Sequence, residues 1–326
     1  MSGCTETGKI SILLAVYEPR EDWLREQLLS LDAQSYPNLK LYIRDDASPS
    51  FPFGRLQALV SDCIRSFPVE LRRNEKNLGS NATFAALVSE AEGDYFAFCD
   101  QDDIWLPDKL RIMQEALERE RALLVCSDQR IIDADGSTLA EGMAELRRHH
   151  VYRSGEHLGD TLWRANFASG CATLVRADAV RASLPWNPYM VYDHYIALWC
   201  GEMGKIVSLP EALTLHREHG GNQSSLLRGV EDKKSYYRAR VEEKLASVAW
   251  LREHFPSSDE LAETLTHAER WFDARAAFAK GDLRGVRPLW RERHFGRAET
   301  AFELLLPVMP ERVFRAAITL ARKNRL

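Results

Sequence analysis

Residues 95–107 read YFAFCDQDDIWLP and join an uncharged run to a cluster of carboxylates. The aromatic run Tyr95–Cys99 is typical of a short strand that is buried on both faces. Asp100, Asp102 and Asp103 follow it, and three neighbouring carboxylates repel one another unless a cation or hydrogen-bond donors compensate them. A divalent cation, Mg²⁺ or Mn²⁺, suits such a cluster because it binds carboxylates and keeps positions open for phosphate oxygens. The alternative is a polar loop in which Asp103 only caps the next helix.

On both sides of this stretch, strand-like apolar runs alternate with segments of helical periodicity. The predicted strands are Lys9–Val16, Leu39–Ile43, Val69–Arg72, Tyr95–Cys99 and Leu123–Ser127, and the predicted helices are Glu21–Ala33, Arg55–Phe67, Asn81–Ala91 and Pro107–Arg121. This alternation predicts an α/β fold with a mostly parallel sheet that is covered by helices on both faces. Ligands of such sheets bind at the carboxyl ends of the strands, where the sequence places Tyr17, Asp46 and Asp100.

The chain changes character beyond the fifth predicted strand. The middle part is mixed, with a predicted hairpin turn at Asp133–Gly136, a helix at Asp193–Gly201, and short strands at Ile206–Ser208 and Ala212–Leu215. From about residue 229 onward the sequence predicts long helices rich in Arg, Glu and Ala. We therefore expect a sheet domain over residues 1–228 and a helical region over residues 229–326.

The overall charge and hydropathy exclude several classes of protein. The 326 residues include 43 Lys and Arg against 48 Asp and Glu, a formal net charge of −5, so nucleic acid is not an expected partner. No apolar run approaches the roughly 20 residues of a membrane-spanning helix, and Met1–Lys9 lacks the apolar stretch of a signal peptide. The six cysteines include no Cys-x-x-Cys pair, and we expect them to be reduced and buried. These features predict a cytoplasmic protein.

Four ordered motifs carry a resemblance to a known family. They are Lys9–Val16 with Tyr17, Arg44–Ser48, Asn77–Gly79 and Asp100–Pro107. Together they resemble the family 2 glycosyltransferases of the GT-A fold, a Rossmann-like sheet flanked by helices, over about residues 9 to 225. The combination of Asp-Gln-Asp-Asp-Ile-Trp, a later Tyr-Asp, and His-x-x-His-Gly-Gly-Asn is most similar to the rhamnosyltransferase-like branch.

The resemblance implies a reaction and its partners. It implies a metal-dependent, inverting transfer of a sugar from a nucleotide-diphosphate donor to a hydroxyl group of a glycan or lipid-linked oligosaccharide acceptor, as in cell-surface polysaccharide or lipopolysaccharide synthesis. The branch suggests L-rhamnose from dTDP-rhamnose, whereas a hexose from a UDP-sugar would satisfy the same motifs. The implied cofactor is Mg²⁺ or Mn²⁺.

The resemblance also assigns residues to the nucleotide. Ala15 and Tyr17 match positions that line the nucleobase, and Asp46 matches the carboxylate that accepts a hydrogen bond from the pyrimidine N3–H. An ionised carboxylate only accepts hydrogen bonds, which fits uracil or thymine but not cytosine. Asn77 and Gly79 match a loop beneath the nucleotide, where glycine allows a close approach of the backbone. The alternative for Asp46 is an ordinary turn residue.

Two carboxylates match the metal and ribose ligands of the family. They are Asp102 and Asp103, with Asp100 as a supporting member. In the loop that begins at His216, either this histidine or His219 could ligate the metal or bind the diphosphate, and we favour His216. Its neighbour Arg217 could pair with phosphate. The alternative is a surface loop with solvated histidines.

Asp193 matches the general base that removes the proton of the acceptor hydroxyl. In the commoner motif of the family a glutamate precedes this aspartate, whereas here Tyr192 does, which leaves open what holds the carboxylate. The alternative for Asp193 is a helix N-cap. Gly170, in Ser169-Gly170-Cys171, resembles part of an acceptor-side loop, although an ordinary tight turn accounts for it equally well.

The C-terminal region carries a basic and amphipathic pattern. Residues 312–326 contain five basic side chains and no acidic one, together with an apolar stripe formed by Phe314, Ala317, Ile318 and Ala321. Such a helix can dock peripherally on the anionic inner face of the cytoplasmic membrane, or it can pack on its own protein as an ordinary helix. A second basic patch, between residues 284 and 297, surrounds Trp290.

Two other classes of function compete with glycosyl transfer. A nucleotidyltransferase also uses an α/β fold with metal-binding carboxylates, but it would show a Gly-rich basic loop after the first strand, where this chain has Tyr17-Glu18-Pro19-Arg20. A non-catalytic nucleotide-sugar-binding protein could retain the fold without the chemistry. The simultaneous presence of Asp46, Asp102, Asp103, Asp193 and His216 argues against that reading.

Overall fold

The computed structural model of the chain describes residues 7–147, 150–219 and 229–323. It forms two compact units, which we call the sheet unit and the helical unit. The sheet unit comprises Met1–Trp186 and Val191–His219, and the helical unit comprises Asn187–Met190 and Gly220–Leu326. Our domain boundary after residue 228 remains a prediction.

The sheet unit is built on one mixed sheet. Among the described residues the sheet has nine strands in the order β3-β2-β1-β4-β8-β6-β9-β5, with β7 paired to β6. Their bounds are β1 Ile10–Val16, β2 Leu39–Asp45, β3 Val69–Arg73, β4 Tyr95–Cys99, β5 Ile104–Trp105, β6 Leu124–Ile132, β7 Thr138–Ala140, β8 Thr173–Arg176 and β9 Ile206–Arg217. The predicted hairpin turn lies between β6 and β7, which pair antiparallel.

Five of the eight helices that the structure describes in the sheet unit were predicted, namely the first four and the last, whereas three short ones between them were not. The eight helices are α1 Glu21–Asp32, α2 Phe53–Cys63, α3 Ser80–Glu90, α4 Lys109–Glu120, α5 Met143–Leu146, α6 Gly159–Leu162, α7 Ala177–Ala182 and α8 Tyr192–Met203. The second helix is shorter than predicted because Ile64 is already extended. The first four helices separate the first parallel strands, as βαβ units require.

The central strand β1 determines where the ends of its neighbours lie. Its apolar residues are almost fully buried, and it pairs parallel with β2 on one side and with β4 on the other. The register sets Val16 opposite Asp45 and Leu14 opposite Cys99. The residues that follow these three strands therefore emerge at the same edge of the sheet, which confirms the predicted α/β class.

The other half of the sheet contains antiparallel pairs, and β9 is longer than the two short strands that the sequence predicts. Its register against β6 shifts after Leu209, so that Ala212 faces Asp128. The two residues passed over include Pro210, which lacks the N–H that a regular ladder needs. Beyond this irregularity β9 continues to Arg217, and its residues Thr214 and Leu215 pair antiparallel with β5. This pairing carries the end of β9 to the carboxylate cluster.

The helical unit consists of short and medium helices with their own core. They are α9 Lys233–Tyr237, α10 Glu243–His254, α11 Asp259–Ala279, α12 Val286–Arg291, α13 Arg297–Leu305 and α14 Glu311–Lys323. One core cluster joins Val230 and Tyr236 to Leu306, Phe314 and Ile318. A buried ion pair lies beside it: Arg275 donates to both carboxylate oxygens of Glu303, at 2.8 and 2.5 Å.

The packing of α14 bears on the two alternatives for its apolar stripe, membrane docking and packing within the protein. Phe314 is fully buried and Ile318 is 7% exposed, because both belong to the core of the helical unit. The apolar stripe that we considered for membrane docking is therefore used in packing, at these two positions. In the part of the chain that the structure describes, no helix is long and apolar enough to cross a membrane.

The cysteines agree with the expectation from their spacing. Cys63, Cys99, Cys126, Cys171 and Cys200 are all free and buried. Cys4 lies outside the described residues.

Breaking the buried ion pair should destabilise the helical unit strongly. Glu303→Gln leaves the Arg275 guanidinium buried without its counter-charge, which we expect to lower the free energy of unfolding by about 3 to 5 kcal/mol. Urea titration followed by circular dichroism measures this change. The control is Glu243→Gln, which removes the exposed partner of Arg238 at 3.9 Å and should cost less than about 1 kcal/mol. Equal losses in the two variants would contradict the assignment.

Candidate active site

Asp46, at the end of β2, holds the loop that follows β3. Its carboxylate is 4% exposed and accepts hydrogen bonds from Asn74 Nδ2 at 2.7 Å, from the Leu78 N–H at 2.8 Å and from the Gly79 N–H at 2.9 Å. Asp46 is thus more than a local turn residue, because it links two strand ends across the sheet edge. Its contact with a nucleobase stays a prediction.

Gly79 has a backbone conformation that requires glycine. Its φ is +79° with ψ at 165°, a region that side chains rarely adopt, and an added Cβ would meet no atom within 4 Å. The backbone conformation alone therefore accounts for glycine at this position, and the close approach to a nucleotide stays a prediction. Asn77 in the same loop is exposed to solvent.

The end of β1 is joined to the carboxylate cluster by Gln101, a residue that sequence analysis did not select. The Tyr17 N–H donates to Gln101 Oε1 at 2.9 Å, and Gln101 Nε2 donates to the Tyr17 carbonyl at 3.0 Å. Tyr17 keeps 45% of its surface exposed, and Ala15 is partly buried. Tyr17 therefore lies at the surface of this edge, and its backbone is held by the side-chain amide of Gln101, which lies between two of the carboxylates in the chain.

Asp102 and Asp103 are each paired with one histidine of the predicted loop. His216 Nδ1 lies 3.0 Å from Asp103 Oδ1, which also accepts the Arg217 N–H at 3.0 Å. His219 Nε2 lies 2.7 Å from Asp102 Oδ2. Both histidines thus reach the carboxylates, and the two are distinguished by which aspartate they contact. Gly220, Gly221 and Asn222 of the same motif lie outside the described residues.

Arg217 is used to build the site, which corrects the expectation that it pairs with phosphate. The residue is 1% exposed, and its guanidinium donates to the Asp102 carbonyl at 2.9 Å, to Glu26 at 2.5 Å and to the Asp133 carbonyl at 3.3 Å. It thereby joins the carboxylate loop to α1 and to the β6–β7 turn. In this arrangement the guanidinium faces protein acceptors, not a ligand.

The cluster carries more negative charge than its neighbours compensate. Burial, and then the charges of Asp103 and Asp102, raise the pKa of Asp100 to about 8. Burial alone would lower the pKa of His216, but Asp103, Asp100 and Asp102 outweigh burial and raise it to about 9. Both shifts have one physical cause, an excess of carboxylates in a buried place. Such an excess favours a bound cation.

Three side chains offer ligand atoms at a spacing that a metal ion can use. Atoms of Asp103, Cys171 and His216 all lie within 4.8 Å of one another. Asp103 is fully buried, and among the described residues its Oδ2 atom has no hydrogen-bond partner. An unpartnered buried carboxylate oxygen is costly unless a ligand completes it. The thiol of Cys171 was not selected from the sequence, since a lone cysteine before a strand looks like a core residue.

Lys109 is a second residue that the sequence did not reveal. It follows Asp108 in the first turn of α4, where periodicity predicts a solvated side chain, yet it is fully buried. Its Nζ atom donates to the Cys171 carbonyl and lies 3.5 Å from the centre of the Trp105 ring. Burial lowers the pKa of Lys109 to about 8, against the opposing effect of the nearby thiols and carboxylates. Lys109 therefore holds the turn that contains Gly170 and Cys171 through its bond to the Cys171 carbonyl.

Asp193 lies in the first turn of α8 and is oriented by two backbone donors. Its Oδ2 accepts the Gly170 N–H at 3.0 Å, and its Oδ1 accepts the His194 N–H at 2.6 Å. Burial raises the pKa of Asp193, and these N–H groups partly oppose the shift. The Gly170 donor is next in the chain to Cys171, whose thiol lies within 4.8 Å of a carboxylate oxygen of Asp103, so this turn joins Asp193 to the carboxylate cluster.

The tyrosine that departs from the family motif anchors the start of α8. Tyr192 is buried, and its ring centre lies 4.2 Å from that of Phe84 and 5.0 Å from that of Phe98. A side chain at Gly170 would overlap with the Tyr192 hydroxyl and come within 3.3 Å of Asp193 Cβ. The aromatic packing of Tyr192 and the absence of a side chain at Gly170 therefore position Asp193. This is how the carboxylate is held although Tyr192 replaces the glutamate of the commoner motif.

A family model agrees with this arrangement. The model of glycosyl transferase family 2 matches residues 11–184, more than half of the chain. The chain belongs to glycosyl transferase family 2. The match includes β1, the Asp46 loop, and the carboxylate cluster, whereas Asp193 and His216 lie beyond it.

Several curated proteins are similar in sequence. An uncharacterised protein of Mycobacterium tuberculosis is 27% identical over 213 residues, which cover 64% of this chain and 58% of that protein. An uncharacterised glycosyltransferase of Nostoc is 26% identical over 226 residues, 66% of each chain. The abequosyltransferase RfbV of Salmonella typhimurium is 31% identical over 159 residues, 48% of this chain and 44% of that protein. The chain thus matches less than two thirds of the length of the mycobacterial relative.

Solved structures show the fold. The S. aureus protein TarS, residues 1–349 with UDP-GlcNAc, aligns with a TM-score of 0.56 at 13% identity, over 85% of this chain and 89% of that one. A mannosyltransferase of Pyrobaculum calidifontis with GDP-Man and Mn²⁺ aligns with a TM-score of 0.56 at 13% identity, over 98% and 87%. The family 2 fold is therefore GT-A, as the resemblance implied. The rhamnosyltransferase-like branch stays a prediction.

The contact between Gly170 and α8 can be tested by adding one methyl group. Gly170→Ala should displace Tyr192 or Asp193 and lower the midpoint of thermal unfolding by several degrees, because the added Cβ has no room. The control is Gly54→Ala in α2, where an added Cβ meets no atom within 4 Å and helix propensity favours alanine. An unchanged midpoint for Gly170→Ala would contradict the described packing.

Proposed function

We propose that this protein is a glycosyltransferase that moves a sugar from a nucleotide-diphosphate donor to a hydroxyl group of a glycan acceptor. One observation carries the proposal: a single turn, Gly170–Cys171, contacts both Asp193 and the carboxylate cluster after β4. The Gly170 N–H donates to Asp193 at 3.0 Å, and the Cys171 thiol lies within 4.8 Å of a carboxylate oxygen of Asp103. The cluster would bind a cation together with the diphosphate of the donor, and the Asp193 carboxylate would remove the proton of the acceptor hydroxyl. Membership of family 2 supports the same reaction class.

The proposed reaction is a single in-line displacement. Asp193 removes the proton of the acceptor hydroxyl while its oxygen attacks the anomeric carbon from the face opposite the diphosphate. The new carbon–oxygen bond forms as the bond to the diphosphate oxygen breaks, so the anomeric carbon inverts and the nucleoside diphosphate leaves with the electron pair. The Gly170 and His194 N–H groups keep the base oriented without occupying every lone pair of its oxygens.

Asp102, Asp103 and His216 fit a divalent cation, Mg²⁺ or Mn²⁺. The unpartnered Oδ2 atom of Asp103 and the excess of buried carboxylates support this assignment. When bound, the cation stabilises the negative charge that develops on the leaving diphosphate. His219 holds Asp102 through a 2.7 Å contact, and Arg217 holds the backbone of the same loop.

The donor and acceptor are proposed by class. Asp46, Ala15 and Tyr17 would bind the base of a dTDP- or UDP-sugar, with Asn77 and Gly79 beneath it, and L-rhamnose from dTDP-rhamnose is our first choice. The acceptor would be a cell-surface polysaccharide, a lipopolysaccharide precursor or a lipid-linked oligosaccharide. The enzyme would then work in the cytoplasm or peripherally at the inner face of the membrane, with the helical C-terminal region contributing contacts.

The proposed base can be tested with a matched pair of variants. Asp193→Asn keeps the shape and removes the basic oxygen, so we expect the transfer rate to fall by about 10² to 10⁴ while donor affinity stays the same. The control is Asp178→Asn, because Asp178 is also in a helical first turn and accepts the next N–H at 2.7 Å, but is exposed. Its rate should be unchanged. Transfer at the normal rate by Asp193→Asn would remove this residue from the mechanism.

The donor can be identified by thermal shift with a panel of nucleotide sugars. We expect dTDP-rhamnose to raise the unfolding midpoint in the presence of Mn²⁺, and GDP-mannose to have no effect, because a purine offers no pyrimidine N3–H for Asp46. Chelation with EDTA should abolish the shift. A response to UDP-hexoses alone would contradict the rhamnose assignment, and a response to no nucleotide sugar would contradict the proposed function.

A further inference from the structure

The helical unit contains a concave site of about 890 Å³ between the end of α11 and the segment that leads into α12. We call it the α11–α12 groove. Small residues, Ala274, Ala277 and Gly285, contribute to its lining. Gly285 is in close contact with the α11 backbone, because an added Cβ would lie 2.7 Å from the Ala274 carbonyl. Its volume is that of a typical small-ligand or oligosaccharide site.

An aromatic side chain borders the groove. Trp290 is 57% exposed, and the guanidinium of Arg293 lies 4.5 Å from the centre of its ring. The arginine can cover only one face of the indole. An exposed tryptophan beside a concave surface is the arrangement that binds flat, partly apolar ligands, since the ring offers a large rigid contact area.

Two arginines of the groove have no partner in the protein. Within the described part of the chain, Arg270 and Arg287 make neither a hydrogen bond nor an ion pair, and both are exposed. Arg284, by contrast, pairs with Asp282 at 2.9 Å. Asp273 also lines the groove and is exposed without a partner. The groove thus presents two free guanidinium groups, one free carboxylate and one aromatic ring.

We propose that the α11–α12 groove binds an acidic oligosaccharide. The indole of Trp290 would stack on the C–H face of a pyranose ring. Arg270 and Arg287 would pair with sugar carboxylates through two parallel hydrogen bonds, and Asp273 would accept hydrogen bonds from hydroxyl groups. A bilayer fits less well, because the lining is concave whereas a bilayer surface is flat on the scale of this groove. That the bound chain is the acceptor rests on the proposed function.

The test uses the full-length protein and three probes. Isothermal titration calorimetry measures binding of tetragalacturonate as the acidic probe, maltotetraose as the neutral probe of equal length, and phosphatidylglycerol vesicles as the membrane probe. We expect saturable binding of tetragalacturonate, and binding of maltotetraose weaker by about tenfold or more, since the guanidinium pairs are missing. Trp290→Ala and the double variant Arg270→Gln/Arg287→Gln should each weaken tetragalacturonate binding by about tenfold or more.

The control variant is Arg312→Gln, which removes one exposed arginine of α14 and should leave binding unchanged. Equal binding of the two oligosaccharides, no binding of either, vesicle binding in place of oligosaccharide binding, or an equal loss in the control would each overturn the proposal. Thermal unfolding verifies that every variant is folded. Asp193→Asn should bind tetragalacturonate like the unmodified protein. Loss of oligosaccharide binding and loss of sugar transfer can therefore be distinguished.

Discussion

The candidate site depends on one short pairing of strands. Ile104 and Trp105 follow the carboxylate cluster immediately, and they pair antiparallel with Thr214 and Leu215, which immediately precede His216. This pairing joins segments that are more than a hundred residues apart in the chain. Because strand pairing fixes the backbone positions on both sides, the next side chains meet at hydrogen-bonding distance without further adjustment. The register of β9 against β6 shifts at Pro210, and beyond this shift β9 pairs with β5.

Electrostatics explains why the surroundings of the cluster are so rich in donors. Buried carboxylates are costly when they are close together, and Asp102 and Asp103 each have a compensating group here. His216 contacts Asp103, and His219 contacts Asp102. The guanidinium of Arg217 donates to the backbone carbonyl of Asp102. Lys109 adds a buried positive charge behind the site. Burial, and then the charges of Asp103 and Asp102, raise the pKa of Asp100, and a bound cation would offset the cost of these carboxylates.

Asp193 is held by a different kind of constraint. Its position comes from aromatic packing around Tyr192 and from a backbone donor in the Gly170 turn. Lys109 binds the carbonyl of the next residue in that turn, and the thiol of this residue, Cys171, reaches the carboxylate cluster. One short turn therefore contacts the cluster on one side and the separate carboxylate on the other. A change in this turn would disturb both halves of the site together.

The sequence by itself determined the alternation of strands and helices in the first half, the α/β class, and the carboxylates at the strand ends, because apolar periodicity is a local property. It also selected Asp193 and His216, through resemblance to a family. Only the tertiary structure decided that Lys109 is buried, that Cys171 approaches Asp103, that Arg217 faces protein acceptors, and that Phe314 lies in a core. These outcomes depend on contacts between distant segments. A local pattern shows which chemistry a residue can perform. Long-range packing determines which residues it contacts and how far it is exposed to solvent.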